Sequence, residues 1–155
     1  MANYGVIDLG SNSVRLVIFD VKDGISKKKP ITCKDFRSII NDKVMAGLSA
    51  YVDAGEFTPE GIARAVDVLS GHLKRARYFN CVRTDIFATA VLRNCTNSRE
   101  AISAIEKAIG TPVNLLSARD EAHLSFTGAS CDRTIEKGTV VDLGGGSTEL
   151  IRVEK

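Results

Sequence analysis

The chain has 155 residues, 44% hydrophobic and 26% charged, with a formal net charge of +2. That length suits one domain able to bury about 68–70% of its unfolded surface. The mild charge excludes a dedicated nucleic-acid binder, and no apolar run approaches the ~20 residues that cross a bilayer, so neither nucleic acid nor membrane is an expected partner.

In chain order, an apolar strand is expected over Tyr4 to Asp8, a small polar turn over Gly10 to Asn12, and a longer strand over Ser13 to Val21. Asp23-Gly24 signals a turn, and a third strand at about Ser26 to Lys34 would complete an antiparallel meander, with Pro30 marking an edge position or an irregularity. Lys27-Lys28-Lys29 reads as the solvated edge of that hairpin. From Asp35 to Glu56 the pattern is poor; Arg37 to Lys43 fits strand or loop, and Gly47 and Gly55 imply turns.

Thr58-Pro59-Glu60 opens a helix with a hydroxyl cap, a proline at the first position and an acid in the first turn. Ile62, Val66, Leu69 and Leu73 follow at helical spacing, and Lys74, Arg75 and Arg77 suit the dipole at its end. Gly71 inside it costs about 1 kcal/mol relative to alanine, which reads as close packing, and His72 reads as a surface or packing histidine rather than a ligand. Val82 to Ala88 is a strand feeding Thr89 to Asn94. Ser98 caps a helix carrying Ile102, Ile105 and Ile109, stopped by Gly110 with Pro112 behind it. Val113 to Leu116 is a short strand, and Ser117 to Asp120 forms an S-x-x-D cap on a helix reaching about Ala129. Strands and helices alternating after a meander give an α/β domain with a mixed sheet covered by helices.

Cys33, Cys81, Cys95 and Cys131 stand far apart, with no C-x-x-C pair and no nearby histidine. That argues against zinc or a disulfide framework and for reduced thiols in a cytoplasmic protein. No charged leader precedes an apolar stretch at the N-terminus.

The most informative stretch comes last. Thr139-Val140-Val141-Asp142-Leu143 is followed by Gly144-Gly145-Gly146, Ser147-Thr148-Glu149 and a second apolar run. It reads as strand, side-chain-free turn, strand. Three glycines make sense where backbone N–H groups approach a guest, and phosphate is the usual one. The same grammar occurs at the start: Val6-Ile7-Asp8-Leu9-Gly10, then Ser11-Asn12-Ser13. Asp8 matches Asp142 and Ser13 matches Ser147. Two phosphate-cradling hairpins, each with a carboxylate at its mouth, are the parts needed to hold a metal–phosphate group from both sides.

Four segments, IDLGSNSVRLVI, ATAVLRNCTN, SARDEAHLSFTGA and VVDLGGGSTELI, lie in the order seen in the exopolyphosphatase and guanosine pentaphosphate phosphatase family, and the chain resembles that family over its whole length. The family belongs to the superfamily of actin, sugar kinases and heat-shock chaperone ATPases. The resemblance implies a ribonuclease-H-like, actin-type lobe over 1–130, with 131–155 as the first hairpin of a second lobe otherwise absent, and a site in the cleft between lobes. It implies Glu121 as general base and Glu149 as a second carboxylate that orients water. Asp8 and Asp142 are the expected Mg²⁺-side carboxylates, since Mg²⁺ takes one or two carboxylates plus phosphate oxygens. Arg93 is the expected phosphate clamp, with Ser11, Asn12, Ser13, Gly144, Gly145, Gly146 and Ser147 supplying further donors. Arg15 stays open between cleft and solvent. Near Met45-Ala46-Gly47, Ala46 stands where the family has an arginine.

The expected activity is release of terminal phosphate from inorganic polyphosphate or guanosine pentaphosphate. A kinase or ATPase of the same superfamily and a non-catalytic phosphate sensor are the alternatives. The last hairpin, left without a second lobe, is expected to pair with the first lobe or with another chain, a possible homodimer.

Overall fold

Strand alternation builds the main sheet. In the computed structural model, which describes residues 1–22 and 32–154, β1 (Ala2–Leu9) and β2 (Ser13–Val21) form an antiparallel pair. One face of that pair carries Ile7, Leu9, Val14, Leu16 and Ile18, all with no exposed surface. β3 (Phe36–Met45) adds antiparallel to β2, while β6 (Cys81–Ala88) and β7 (Val113–Leu115) add in parallel on the other side, giving the order β3-β2-β1-β6-β7. Between β3 and β6 come a 3₁₀ turn (Leu48–Tyr51), the small pair β4 (Val52–Asp53) and β5 (Glu56–Phe57), and the long helix α1 (Pro59–Tyr78). α2 (Ala90–Arg93) and α3 (Ser98–Ile109) follow β6. α1 packs on α3 and on the sheet, so Leu69, Leu73, Ala101 and Ile105 meet the apolar face in one core. The mixed α/β architecture is therefore the expected one. Among the described residues no helix is long and apolar enough to cross a membrane.

The helix signals hold locally. Thr58 caps α1 by accepting from the Gly61 N–H at 3.2 Å, with Pro59 at the first position. Ser117 caps α4 (Ala118–Ala129) by accepting from the Asp120 N–H at 3.1 Å. Gly110 ends α3 in the left-handed conformation, φ 67°. His72 is a packing histidine, 2% exposed, with Nε2 3.2 Å from the Val14 carbonyl and Nδ1 3.5 Å from Asp42.

Several expectations are corrected. β2 pairs with β3; most of the strand expected at about 26–34, with Asp23-Gly24, Lys27-Lys28-Lys29 and Pro30, lies outside the described residues. β3 is an edge strand largely open to water; Ile40 and Val44 pack on the core, but Asp42 between them and a register shift opposite Ile18 and Phe19 break the apolar alternation, and its backbone pairing with β2 places it. Gly71 has open space where a Cβ would be, whereas a Cβ on Gly61 would lie 2.7 Å from that of Tyr51. The close packing on α1 is thus at its first turn. Ser98 does not cap α3. Asn97 occupies that position and spends its side chain on Phe57, accepting from its N–H at 2.8 Å and donating to its carbonyl at 2.9 Å.

The four thiols are not all reduced: Cys33 and Cys131 form a disulfide, with Cα atoms 5.8 Å apart, while Cys81 and Cys95 are free. The partners are 98 residues apart in sequence, and only the fold brings the approach to β3 beside the end of α4. The cytoplasmic reading loses the support it drew from four free thiols.

The last hairpin, β8 (Gly138–Leu143) and β9 (Thr148–Val153), adds no strand to the main sheet. It forms its own two-stranded sheet and packs on α4. Its other face leaves Val141, Leu143 and Leu150 exposed by 52%, 78% and 71%.

Candidate active site

The two small-residue turns have one geometry. The Gly10 N–H donates to the Ser13 carbonyl at 3.1 Å, and the Gly144 N–H to the Ser147 carbonyl at 3.0 Å. A Cβ on Gly10 would stand 3.0 Å from the Ser13 oxygen, and one on Gly144 3.1 Å from the Ser147 oxygen. The cross-strand partners match too: Asp8 faces Arg15 in the first hairpin, and Asp142 faces Glu149 in the second.

The turns also touch. A Cβ on Gly145 would come 3.2 Å from that of Asn12, and one on Gly146 would overlap Ser11 Oγ. Glycine is required there because the second turn lies on the first. The chain beyond β3 braces the first turn from behind, with the Gly47 N–H donating to the Asn12 carbonyl and the Ser49 N–H to the Ser11 carbonyl, both at 2.8 Å. Ala46 is buried beside this brace.

Together the turns line a cleft of about 570 Å³. Asp8, Ser11, Asn12, Ser13, Glu121, Asp142, Gly144, Gly145, Gly146, Ser147 and Glu149 all border it. Among the residues expected at the site, Arg93 is the exception. Its guanidinium donates to Glu121 Oε2 at 2.5 Å and to the Leu116 carbonyl at 3.2 Å. Both side chains of that pair are largely buried, so Arg93 fixes the direction of Glu121 rather than standing in the cleft.

Four carboxylates share one opening, and the electrostatics reflect it. Asp8 keeps contact with solvent in the cleft, yet the surrounding walls raise its carboxyl above the ordinary range by desolvation. The negative charges of Glu121 and Asp142 push the same way, while Arg15 opposes them. Asp142 accepts a hydrogen bond from Ser125 Oγ. Ser125 lies one turn after Glu121 on α4, on the same side of the helix, so one helix holds the carboxylates of both the expected base and the second turn.

Sequence reasoning missed Ser125, Lys43 and Met45 and left Arg15 open. Arg15, Lys43 and Met45 all border the cleft. The i,i+4 spacing from Glu121 was the available signal for Ser125. Lys43 and Met45 lay in a stretch whose strand character came only from pairing with β2. Among the described residues no set of three or more His, Cys, Asp or Glu side chains can hold a metal by itself. Asp8 and Asp142 offer two carboxylates, which suits a cation that completes its shell with water and phosphate oxygens.

The comparisons with known proteins agree with this geometry. Residues 17–155 match the model of the Ppx/GppA phosphatase family. Exopolyphosphatase 2 of Mycobacterium tuberculosis is 30% identical over 160 residues, covering 97% of this chain and 48% of that protein. The guanosine-5'-triphosphate,3'-diphosphate pyrophosphatase of Vibrio cholerae is 31% identical over 149 residues, covering 96% and 28%. The crystal structure of an exopolyphosphatase from Cytophaga hutchinsonii superimposes with a TM-score of 0.83 at 26% identity, over 98% of this chain and 46% of that one. Ethanolamine utilization protein EutJ from Carboxydothermus hydrogenoformans, at 18% identity and a TM-score of 0.53, shares the fold alone. The chain thus spans about half the length, or less, of the relatives it matches. With the family match extending over most of its residues, and with the paired turns and Glu121 in place, the chain belongs to the Ppx/GppA phosphatase family.

Proposed function

We propose that this chain supplies one wall and the catalytic carboxylates of a phosphoanhydride hydrolase that releases terminal phosphate from inorganic polyphosphate or guanosine pentaphosphate. The observation that carries the reading is the meeting of the Asp8 and Asp142 turns at one cleft bordered by Glu121. In this reading the backbone N–H groups and hydroxyls of Ser11, Asn12, Ser13 and Gly144 to Ser147 bind the terminal phosphoryl group. Asp8 and Asp142 hold Mg²⁺, whose chemistry is to neutralise charge on the phosphate oxygens. Burial raises the Asp8 carboxyl most, and the negative charges of Glu121 and Asp142 add to it; the charge part is what a bound cation would relieve.

Glu121, aimed by Arg93, accepts a proton from water as the water oxygen bonds to the terminal phosphorus and the phosphoanhydride P–O bond breaks. Glu149, opposite Asp142 in the hairpin, orients that water. The β8–β9 hairpin opens a second lobe that closes the far side of the cleft.

The test is inorganic phosphate release from polyphosphate and from guanosine pentaphosphate, with and without Mg²⁺, by the protein in its full natural length. Release from either that disappears in Glu121→Gln is the expected result. Binding of both without turnover would replace the hydrolase by a sensor.

A further inference from the structure

We propose that Thr89 is a further catalytic residue: its hydroxyl donates a hydrogen bond to the water that Glu121 deprotonates, and so sets where the attacking oxygen stands against the terminal phosphorus. The inference rests on the reading of the cleft as a phosphoanhydride hydrolase site and concerns a side chain that reading leaves without a role.

Thr89 borders the cleft and stands where the elements that build it cross. Leu9 pairs with Ala88 in parallel register, which brings Thr89 level with the start of the first turn. A Cβ on Gly146 would lie 3.6 Å from that of Ala90, so the second turn rests against the residue next to Thr89. The segment leading into α4 is fixed to the same place, because the Leu116 N–H donates to the Ala88 carbonyl at 2.9 Å. Arg93 completes the ring. Its backbone N–H donates to the Thr89 carbonyl at 3.0 Å, while its guanidinium holds Glu121 and the Leu116 carbonyl. One residue thus links the Thr89 backbone to the base, and the two keep a fixed relation.

The hydroxyl itself is unspent. A threonine directly ahead of a helix ordinarily accepts from a first-turn N–H, yet Thr89 makes no such bond to α2. Among the described residues its side chain has no other hydrogen-bond partner. It is half-buried, so a water in the cleft would meet a polar group that the protein leaves unsatisfied. The chemistry asks for that donor. A water that gives its protons to Glu121 and Glu149 keeps two lone pairs. One attacks phosphorus, and the other accepts a hydrogen bond. Ionised carboxylates cannot supply it, since they only accept, and Arg93 is committed to Glu121 and Leu116. The Thr89 O–H can. Its proton stays on the threonine throughout: the water proton goes to Glu121, the oxygen bonds to phosphorus, and the phosphoanhydride P–O bond breaks. The donor meets the negative charge that grows on the oxygen as its proton leaves.

The test measures kcat and KM for phosphate release from polyphosphate and from guanosine pentaphosphate by the full natural chain and its variants Thr89→Val, Thr89→Ala and Thr89→Ser, each checked for folding by circular dichroism. Valine keeps the branched shape and removes the hydroxyl; serine keeps the hydroxyl and removes the methyl. Thr89→Val and Thr89→Ala should lower kcat about tenfold, the effect of one hydrogen bond made in the transition state. KM should stay within about twofold, because the bound substrate does not touch the group. Thr89→Ser should keep kcat within about threefold of the unaltered protein. An equal fall in Thr89→Ser and Thr89→Val would assign the effect to packing of the methyl and overturn the proposal. A raised KM at unchanged kcat would overturn it too, since the hydroxyl would then bind substrate in the ground state. Undiminished turnover in Thr89→Val overturns it and leaves the hydrolase reading intact. If Thr89→Val does not fold, Thr89→Ala against Thr89→Ser decides by the same comparison. If the unaltered protein releases phosphate from neither substrate, the hydrolase reading fails and the role of Thr89 falls with it.

Discussion

The β1–β2 and β8–β9 hairpins carry the same turn in different surroundings. The first is bounded by β3 and β6 and buries one whole face in the core. The second has no neighbouring strand among the described residues and leaves Leu143 78% exposed. An isolated two-stranded hairpin is marginal in water, so β8–β9 is held by what it touches: α4, the Ser125–Asp142 hydrogen bond, and the seating of Gly145 and Gly146 on the first turn. The difference teaches that turn chemistry is written locally and can be repeated, whereas stability comes from the elements on either side. The candidate site joins a rigid half to a lightly tethered half.

If both halves act on one substrate through α4, Glu121→Gln should give the largest effect. A positioned base contributes about 10²–10⁴-fold, so phosphate release by the full natural protein should fall by that order with folding unchanged in circular dichroism. Undiminished turnover would separate α4 from the chemistry of the two turns.

The disulfide sharpens the comparison because it ties the approach to β3, on the rigid side, to the segment leading into β8. Cys131→Ser should lower stability by about 2–4 kcal/mol under oxidising conditions, seen as a drop in the denaturant midpoint. Under full reduction the variant and the parent should unfold alike.

Gly146→Ala tests the contact between the turns directly. Overlap with Ser11 should cost about 1–3 kcal/mol, and hydrogen exchange should accelerate in β8–β9 while β1–β2 stays protected. Equal acceleration in both hairpins would show that they open as one unit. Ser125→Ala removes a single hydrogen bond to a charged group, about 1.5–3 kcal/mol where buried and less in this half-open setting. Its mark should be weaker Mg²⁺ binding by calorimetry, partly recovered by Ser125→Thr.

The smallest effect concerns Asp8. Its carboxyl lies above the usual 3.8 in the folded chain, so the folded state holds that proton more tightly than the unfolded one. This contribution to stability is complete below the unfolded value and is lost as pH rises through the folded one. Without divalent cation, Asp8→Asn should therefore raise Tm near neutral pH, and the gain should vanish below about pH 4. A constant gain at every pH would remove ionisation as its cause.

Features carried by neighbouring residues were legible before any coordinates. The caps at Thr58 and Ser117, the stop at Gly110 and the bounds of Ser13–Val21 follow from side chains that act within a few positions. The paired turns were legible for the same reason, and with them most of the residues that border the cleft. Three features were not. β3 interrupts its core face: Ile40 and Val44 pack against the core, but Asp42 stands between them and the residues around them are mostly polar or exposed, so the alternation is broken in the sequence. The pairing of Arg93 with Glu121, 28 residues away, depends on how distant elements are brought together. Cys33 and Cys131 reveal nothing by spacing, since a disulfide requires proximity in space.

The sequence by itself determined the turns, the helix ends, the strand alternation and the repeated Asp–Gly–Ser grammar, because backbone preference and amphipathic period act over one or two turns of chain. Only the tertiary structure decided that Gly146 rests on Ser11, that Ser125 reaches Asp142, and that Arg15 and Lys43 stand alongside each other. Those relations depend on register and packing between distant segments, which are set when the apolar faces find a common core.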